Sequence, residues 1–225
     1  MRVMCSNHSS TWYVNLCRKY PSNLGWLLGP RHWKNPREGI AFALDNDAYQ
    51  SFTSGTPYDF DAWFRFLDKV SATALEPLWA LVPDVVANRD KTLEQWCQYA
   101  PYIRHRGWNA ALALQDGMTD DDVEECSPDV LFVGGSTAWK WRTAHNWCEW
   151  EGGRVHVGRV NGKRRLWHCQ RIGAESCDGS GWFAGTTQGR EARQLEAWLE
   201  NQEPHPEFDL RLKNLLPTQP PSGKI

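Results

Sequence analysis

The chain has 225 residues, with 27 acidic and 25 basic side chains and a formal net charge of -2. This length is typical of one domain with a substantial core. The near-neutral charge excludes a uniformly basic nucleic-acid-binding protein, so attraction to a polyanion requires a local cluster of cations. The seven cysteines show no CxxC pair and no zinc-type Cys/His spacing, which predicts free thiols, a reducing compartment and no metal site.

The ends of the chain carry no targeting or membrane signal. MRVMCSNHSS at the N-terminus lacks the apolar core of a signal peptide, and no apolar run approaches membrane-spanning length. We therefore expect a cytoplasmic protein without membrane contact. A single domain is predicted over residues 1–203, followed by a proline-containing tail, 204–225, that we expect to be partly disordered. The fourteen tryptophans are expected mainly in the core.

Short apolar runs alternate with amphipathic stretches along the chain. Strands are predicted at Arg2–Cys5, Gly25–Leu28, Ile40–Asp45, Leu78–Asp84, Asn109–Gln115, Val130–Gly135, Val155–Val160 and Ser176–Gly179. Helices are predicted at Phe60–Val70, Asp90–Ile103, Thr119–Cys126, Thr137–Trp150, Lys163–Arg171 and Arg190–Leu199. This alternation predicts an α/β fold with a parallel sheet, closed as a compact (β/α)8 barrel near the lower size limit of roughly 200 residues. A doubly wound open sheet is the alternative, because periodicity does not separate the two.

Polar residues and glycines follow several of the predicted strands. They are Asp45, Tyr49, Asp84, Gln115, Gly134, Gly135 and Asp178. In a parallel barrel all these strand ends face one mouth. Carboxylates accept from ring N–H groups, an amide both donates and accepts, and glycines let a ligand approach the backbone. The set therefore suits a planar heterocycle.

The stretch Arg154–Ser180 joins a carboxylate to a cluster of cations. A basic helix is predicted at Lys163–Arg171, with Gly173 at its C-cap, and Asp178 emerges from the strand that follows. The cations are Arg159, Lys163, Arg164, Arg165 and Arg171. Such a cluster beside a strand end predicts a polyanionic substrate.

Each of these residues also has an ordinary structural interpretation. Asp45 and Asp84 fit helix N-caps, and Gln115 fits a cap of the next helix. The helix Lys163–Arg171 fits a solvated face, the Gly-Gly pair a tight turn, and Asp178 a plain turn. Recurrence of polar residues at successive strand ends favours a functional site.

The chain resembles a known family in five stretches, which occur in the family's order. They are FALDNDAYQSF, LVPDVV, ALALQDGM, LFVGGS and VHVGRVNGKRRLWHCQRIGAESCDGS, between Phe42 and about Ser180. They resemble the tRNA-guanine transglycosylases, and most closely the DpdA-type enzymes of phages and bacteria, which insert 7-deazaguanines into DNA. The resemblance implies base exchange through a covalent aspartyl-nucleotide intermediate. DNA and a free, preQ0-like 7-deazaguanine base are the implied substrates, with no cofactor.

The resemblance also implies a role for each residue of the set. Asp178 matches the nucleophile, and Asp45 matches a general acid/base that contacts the substrate. Tyr49 matches the aromatic ring that stacks on the base. The pair Asp84 and Gln115 matches the residues that read the guanine-type edge.

Two glycines and two departures complete the comparison with this family. Gly134 and Gly135 match a pair of backbone donors to the base carbonyl. Asp47 stands where the family usually has glycine, which predicts a reshaped loop. The chain lacks the zinc-site spacing of the tRNA enzymes, which favours DNA over tRNA. Exchange in tRNA, a non-catalytic nucleic-acid-binding subunit and a barrel hydrolase remain alternatives, and a homodimer or a partner protein is left open.

Overall fold

The computed structural model describes residues 1–6, 10–150, 153–183 and 189–201. Within these residues, eight parallel strands form a closed barrel in sequence order. They are β1 (Arg2–Ser6), β2 (Leu24–Leu28), β3 (Phe42–Leu44), β4 (Ala80–Leu81), β5 (Ala110–Leu114), β6 (Val130–Val133), β7 (Val155–Val157) and β8 (Ser176–Gly179). Pairing of β8 with β1, with Asp178 opposite Met4, closes the barrel. The predicted (β/α)8 barrel is confirmed, and the open-sheet alternative is wrong.

Helices follow the strands on the outside of the barrel. They are α1 (Thr11–Lys19), α2 (Ala48–Ser54), α3 (Phe60–Ser71), α4 (Arg89–Arg104), α5 (Asp120–Cys126), α6 (Thr137–Cys148), α7 (Lys163–Arg171) and α8 (Arg190–Glu200). The sequence did not predict α1 or α2. Both contain many aromatic, β-branched or hydroxyl residues, which are weak helix formers. The side chain of Ser10 nevertheless starts α1 by accepting from the Tyr13 amide at 3.2 Å.

Strands β3 and β4 end earlier than predicted, and this places Asp45 and Asp84 beyond them. The third strand ends at Leu44 and the fourth at Leu81, whereas the sequence predicted strands reaching Asp45 and Asp84. The backbone leaves the ladder before each carboxylate. Both aspartates consequently belong to the loops at the carboxyl ends of the strands, where enzymes of this fold carry their sites.

Alternating strand residues form two apolar layers, as the period of two requires. Met4, Leu27, Leu81 and Ala113 belong to the smaller cluster, which includes the fully buried Trp79 and fills the barrel interior. The opposite-facing residues pack under the helices in the larger cluster. Most of the fourteen tryptophans are buried, as predicted.

Three further predictions concern the cysteines, membrane-spanning segments and the C-terminal tail. The seven cysteines are free thiols, as predicted. In the described part of the chain, no helix has both the length and the apolar character needed to cross a membrane. The predicted tail, residues 204–225, lies outside the described residues.

Candidate active site

A cavity of about 450 Å³ opens at the carboxyl end of the barrel strands. Nine of the twelve predicted site residues line it, namely Asp45, Tyr49, Asp84, Gln115, Gly134, Gly135, Arg159, Arg165 and Asp178. They come from the loops after β3 to β7, from β8 itself and from the first turns of α2 and α7. The barrel therefore brings together side chains that are up to 133 positions apart in the sequence (Asp45 to Asp178).

Asp178 lies in β8 with its side chain held at one oxygen. Its Oδ1 accepts from the backbone N–H of Arg159 at 2.9 Å and contacts Nε2 of His156 at 3.1 Å. The residue is only 7% exposed, yet it lines the cavity. Both of these hydrogen bonds fall on Oδ1. They orient the carboxylate and stabilise its negative charge.

Asp45 opens the loop after β3 and has a different environment. Its Oδ1 accepts from the backbone amides of Asn46, at 2.8 Å, and Asp47, at 3.3 Å. Burial, reinforced by the negative charges of Asp47, Asp178 and Asp84, raises the pKa of Asp45 to about 8. The side chain is half-buried and faces the cavity. At neutral pH this carboxyl group holds a proton that it can donate to a bound molecule.

Asp84 is fixed by two side-chain amides. Its Oδ1 accepts from Asn46 Nδ2 and its Oδ2 from Gln115 Nε2, both at 2.7 Å. The side-chain oxygen Oε1 of Gln115 in turn accepts from the Ala87 backbone amide at 2.7 Å. Burial raises the pKa of Asp84 to about 6, against the lowering effects of the Asn46 bond and the charge of Arg159. Gln115 thus orients Asp84, whose oxygens keep further acceptor capacity.

Tyr49 lies at the rim of the cavity with 44% of its surface exposed. The guanidinium of Arg159 lies 4.3 Å from the centre of its ring, and the same group donates to the Gly135 carbonyl. Arg159 itself has a φ of 58°, which lets its amide face Asp178 while its side chain reaches Tyr49. This cation lies over one face of the ring.

The glycine pair after β6 fits the predicted role only in part. The N–H of Gly134 donates to the Leu114 carbonyl at 3.1 Å, so the strand ladder occupies this donor and the prediction of two donors is wrong for Gly134. Gly135 has a φ of 64°, and a Cβ there would lie 2.6 Å from Oδ2 of Asp116. Both the left-handed backbone and this close approach require glycine.

The first turn of α7 contains three cations, one of which lines the cavity. Arg165 lines the cavity and packs over Trp141 at 5.1 Å, and Lys163 and Arg164 belong to the same turn. Helices of this fold begin at the carboxyl ends of the strands. Cations at a helix N-terminus are disfavoured by the helix dipole, so this turn carries a concentrated positive potential.

Arg171 lies apart from these cations and does not line the cavity. It ends α7, eight residues after Lys163, or about 12 Å along the helix axis. Its guanidinium instead contacts Nδ1 of His168 at 3.2 Å. The helix runs away from the mouth, so a continuous basic run in sequence becomes two separate groups in space.

Lys140 is a cavity residue that the sequence analysis missed. It lies in α6, is only 1% exposed and donates through Nζ to the Gly158 carbonyl. Burial, followed by the charge of Arg159, lowers the pKa of Lys140 to about 7. A lysine between two tryptophans of an amphipathic helix gives no sequence signal of this position.

His156 and Ser176 are two further residues that the sequence analysis missed. His156 is fully buried inside the barrel, where Nδ1 contacts Ser176 Oγ at 2.9 Å and Nε2 contacts Asp178. Its ring stacks on Phe132, with centroids 4.8 Å apart, and meets the edge of Trp79 at 4.8 Å. The one available signal was a histidine at an inward position of a valine-rich strand.

The capping interpretations of the two loop aspartates are wrong. The N-cap of α2 is Asp47, and that of α4 is Asn88. With a φ of 60°, Asp47 adopts the left-handed conformation that glycine favours, and its Oδ2 accepts from the Arg31 amide at 2.8 Å. The loop therefore holds an aspartate in a conformation typical of glycine, and its side chain makes this hydrogen bond.

Comparisons with known proteins bear on the fold alone. No protein-family model and no curated protein sequence matches the chain. The structure of 3-hexulose-6-phosphate synthase from Salmonella typhimurium matches with a TM-score of 0.51 and 13% identity over 90% of this chain and 100% of that one. The Bacillus subtilis YkuI protein, with an EAL domain, gives a TM-score of 0.41 and 12% identity over 74% of this chain and 44% of that one.

The fold and the cavity together define a (β/α)8-barrel protein with a polar, enzyme-like site at the carboxyl end of its strands. Identity of 13% to a solved barrel does not carry an activity across. The resemblance to the transglycosylases therefore rests on the five motifs. Among the described residues, no group of three or more His, Cys, Asp or Glu side chains is arranged to hold a metal ion.

Proposed function

We propose that the protein exchanges a base at a glycosidic bond, replacing guanine in DNA with a 7-deazaguanine through a covalent aspartyl-nucleotide intermediate. The observation that carries this proposal is a pair of carboxyl groups with different environments on one cavity. Asp178 has one oxygen held by two hydrogen bonds, and Asp45 has a pKa raised to about 8. Two carboxyl groups with divergent environments are the usual arrangement for nucleophilic and acid/base work at an anomeric carbon.

The first step breaks the bond between C1′ and N9 of guanine. An oxygen of Asp178 attacks C1′, and the electron pair of the breaking bond moves to the guanine. Asp45, which holds a proton at neutral pH, protonates the departing base and becomes a carboxylate. The nucleotide is then held as an ester of Asp178.

The second step reverses the first with a different base. Asp45 removes the N9 proton of the incoming 7-deazaguanine, and N9 attacks C1′ on the face that guanine left. The ester bond breaks and Asp178 regains its negative charge. Two displacements at one carbon retain its configuration, as in retaining glycosidases. Asp45 returns to its protonated state, so no cofactor is required.

Recognition of the base is assigned to Asp84 and Tyr49. A guanine-type edge presents ring N–H and amino donors, and Asp84 offers two oxygens fixed by Asn46 and Gln115. The exposed ring of Tyr49 supplies a stacking surface. A base in a duplex reaches this depth only after leaving the stack, so base flipping or local melting is part of the proposal.

Binding of the polymer is assigned to the cations at the mouth. Lys163, Arg164 and Arg165 lie in the first turn of α7, beside the cavity that Arg165 lines. Phosphate contacts of this kind position a nucleic acid without reading its sequence. DNA is preferred to tRNA because the chain lacks the zinc-site spacing of the tRNA enzymes that it resembles.

Mass spectrometry of nucleosides tests this function. Purified protein would be incubated with DNA or tRNA, in parallel, and a preQ0-like 7-deazaguanine base. We expect the modified nucleoside in DNA and a denaturant-resistant protein–DNA adduct. Asp178→Asn should abolish the adduct and lower exchange by roughly three orders of magnitude or more. Asp68→Asn, on the exposed surface of α3, is the matched control and should exchange normally.

Three outcomes would contradict the assignment. Modification of tRNA alone would move the activity to the alternative polymer. Binding of DNA without exchange in any condition would favour the non-catalytic subunit. An adduct that persists in Asp178→Asn but disappears in Asp45→Asn would show that the two aspartates have exchanged roles.

A further inference from the structure

We propose that His156 and Ser176 form a positioning relay that fixes which oxygen of Asp178 attacks the nucleotide and that stabilises this carboxylate when it leaves. The inference rests on the proposed function, because it assigns a role within the same reaction. It goes beyond that function by naming two residues that do not line the cavity. Both act through Asp178 and neither touches the substrate.

The contacts of His156 leave its ring little freedom to turn. One ring nitrogen contacts Ser176 Oγ at 2.9 Å, and the other contacts Asp178 Oδ1 at 3.1 Å. The ring is stacked on Phe132 and bordered by Trp79, and no part of His156 is exposed. A ring packed on its face and along its edge cannot rotate without disturbing the barrel interior.

The hydrogen-bond chemistry selects one tautomer. An ionised carboxylate only accepts hydrogen bonds, so Nε2 of His156 must carry the proton that it shares with Asp178. In the neutral ring Nδ1 is then an acceptor, and the hydroxyl of Ser176 donates to it. The Asp178 carboxylate therefore selects the Nε2-protonated form, and the Ser176 hydroxyl, which can donate or accept, supports that form by donating to Nδ1.

The relay distinguishes the two oxygens of Asp178. Oδ1 receives both the His156 ring N–H and the Arg159 backbone N–H, which leaves Oδ2 as the oxygen that forms the bond to C1′. Formation of the ester removes the negative charge and weakens both hydrogen bonds. Release of the ester restores the charge and strengthens them. The relay therefore favours the second displacement, in which Asp178 leaves.

Substitutions separate positioning from mere packing. His156→Phe retains a flat ring between Phe132 and Trp79 but removes both nitrogens. We expect kcat to fall about 10- to 100-fold, the usual cost of losing a partner that orients a functional group. The Kd of the free base should not change, because His156 does not line the cavity. His156→Gln, which keeps an N–H near the position of Nε2, should restore part of kcat.

The lifetime of the covalent adduct is the more specific measurement. Adduct formed on labelled DNA would be chased with excess free base, and its decay followed after quenching in denaturant. His156→Phe should slow this decay more than it slows adduct formation. Ser176→Ala should act in the same direction but more weakly. The matched control is His168→Gln, at a buried histidine outside the cavity lining, which should leave both rates unchanged.

Nitrogen NMR of the histidine rings gives a readout that needs no substrate. The resonance of His156, identified by its loss in His156→Gln, should show a protonated Nε2 and an unprotonated Nδ1. Ser176→Ala should weaken this preference. A protonated Nδ1 with a bare Nε2 in the wild-type protein would overturn the relay whatever the enzyme does.

The kinetic outcomes keep the relay and the proposed function apart. A wild-type protein that exchanges no base in DNA or tRNA overturns the proposed function, and the relay with it. A wild-type protein that exchanges bases, combined with a His156→Phe variant of equal kcat and equal adduct lifetime, overturns the relay alone. A loss in His156→Phe that Gln does not restore, accompanied by a lower melting temperature, assigns His156 to packing and also overturns the relay.

Discussion

Asp45 is predicted to reduce the stability of the protein at alkaline pH. Burial and neighbouring negative charges raise its pKa from an ordinary 3.8 to about 8. Between these two values the folded state holds a proton that the unfolded state has lost, so this group makes stability fall as pH rises. Asp45→Asn removes the titration, while the amide oxygen can still accept from the Asn46 and Asp47 amides.

The size of the effect follows from the two pKa values. Each pH unit between them lowers the free energy of unfolding by about 1.4 kcal/mol. The interval from 3.8 to about 8 therefore gives an upper limit of about 6 kcal/mol for the loss of stability. Asp45 faces the cavity, and water there reduces the penalty on its charged form. At pH 9 we therefore expect the free energy of unfolding of Asp45→Asn to be about 1 to 6 kcal/mol higher than that of the wild type.

Denaturant unfolding at several pH values measures this difference. The advantage of Asp45→Asn should be small near pH 4, grow between pH 4 and pH 8, and level off above pH 8. The same variant should lose base exchange, because an amide cannot pass a proton between two bases. Glu94→Gln, at an exposed carboxylate of α4, controls for the loss of a charge. A stability difference that is constant from pH 4 to pH 9 would refute the raised pKa.

Three further predictions test the base pocket, the basic turn and the metal. Asp84→Ala should weaken binding of the free deazaguanine base more than Gln115→Ala does, because charge-assisted hydrogen bonds are typically about twice as strong, and equal undiminished binding would remove both from the pocket. Arg165→Ala should weaken DNA binding and flatten its salt dependence by roughly one unit, whereas Arg171→Ala should not, and identical slopes would contradict the division of α7. Chelator-treated protein should keep its melting temperature, and zinc-dependent unfolding would contradict this.

The fold was predictable because the barrel repeats one signal eight times. Six helices agree with their predicted positions to within a few residues. The errors lie where local preference and tertiary context differ. Helix α1 contains weak helix formers, and its apolar face is stabilised by packing that no local pattern reveals. The fourth strand has only two residues, Ala80 and Leu81. It is held in place by pairing with β3 and β5, which no local sequence pattern reveals.

The candidate site was predictable to the extent that it follows strand ends. Asp45 directly follows β3, Asp84 lies three residues after β4 and Asp178 lies within β8, so position in the chain implies position at the mouth. Lys140 reaches the cavity from the first turn of α6. His156 is buried inside the barrel and contacts Asp178 there. Lys140 gives no sequence signal of this position, and His156 gives only that of a histidine within a valine-rich strand. The separation of Arg171 from Arg165 was not predictable either, because a run of charges does not record the direction of the helix.

The cavity carries carboxyl groups and cations from different elements of the barrel. Asp45 and Asp84 belong to the loops after β3 and β4, whereas Lys140 belongs to α6 and Arg165 to the first turn of α7. The guanidinium of Arg159 extends from the loop after β7 to the ring of Tyr49 and counteracts the raised pKa of Asp84. Cations attract a phosphate, whereas carboxylates repel it and accept hydrogen bonds from a base. Under the proposed function, these charges would orient a bound nucleotide, and the attack on its sugar is assigned to Asp178, whose carboxylate accepts from the Arg159 amide.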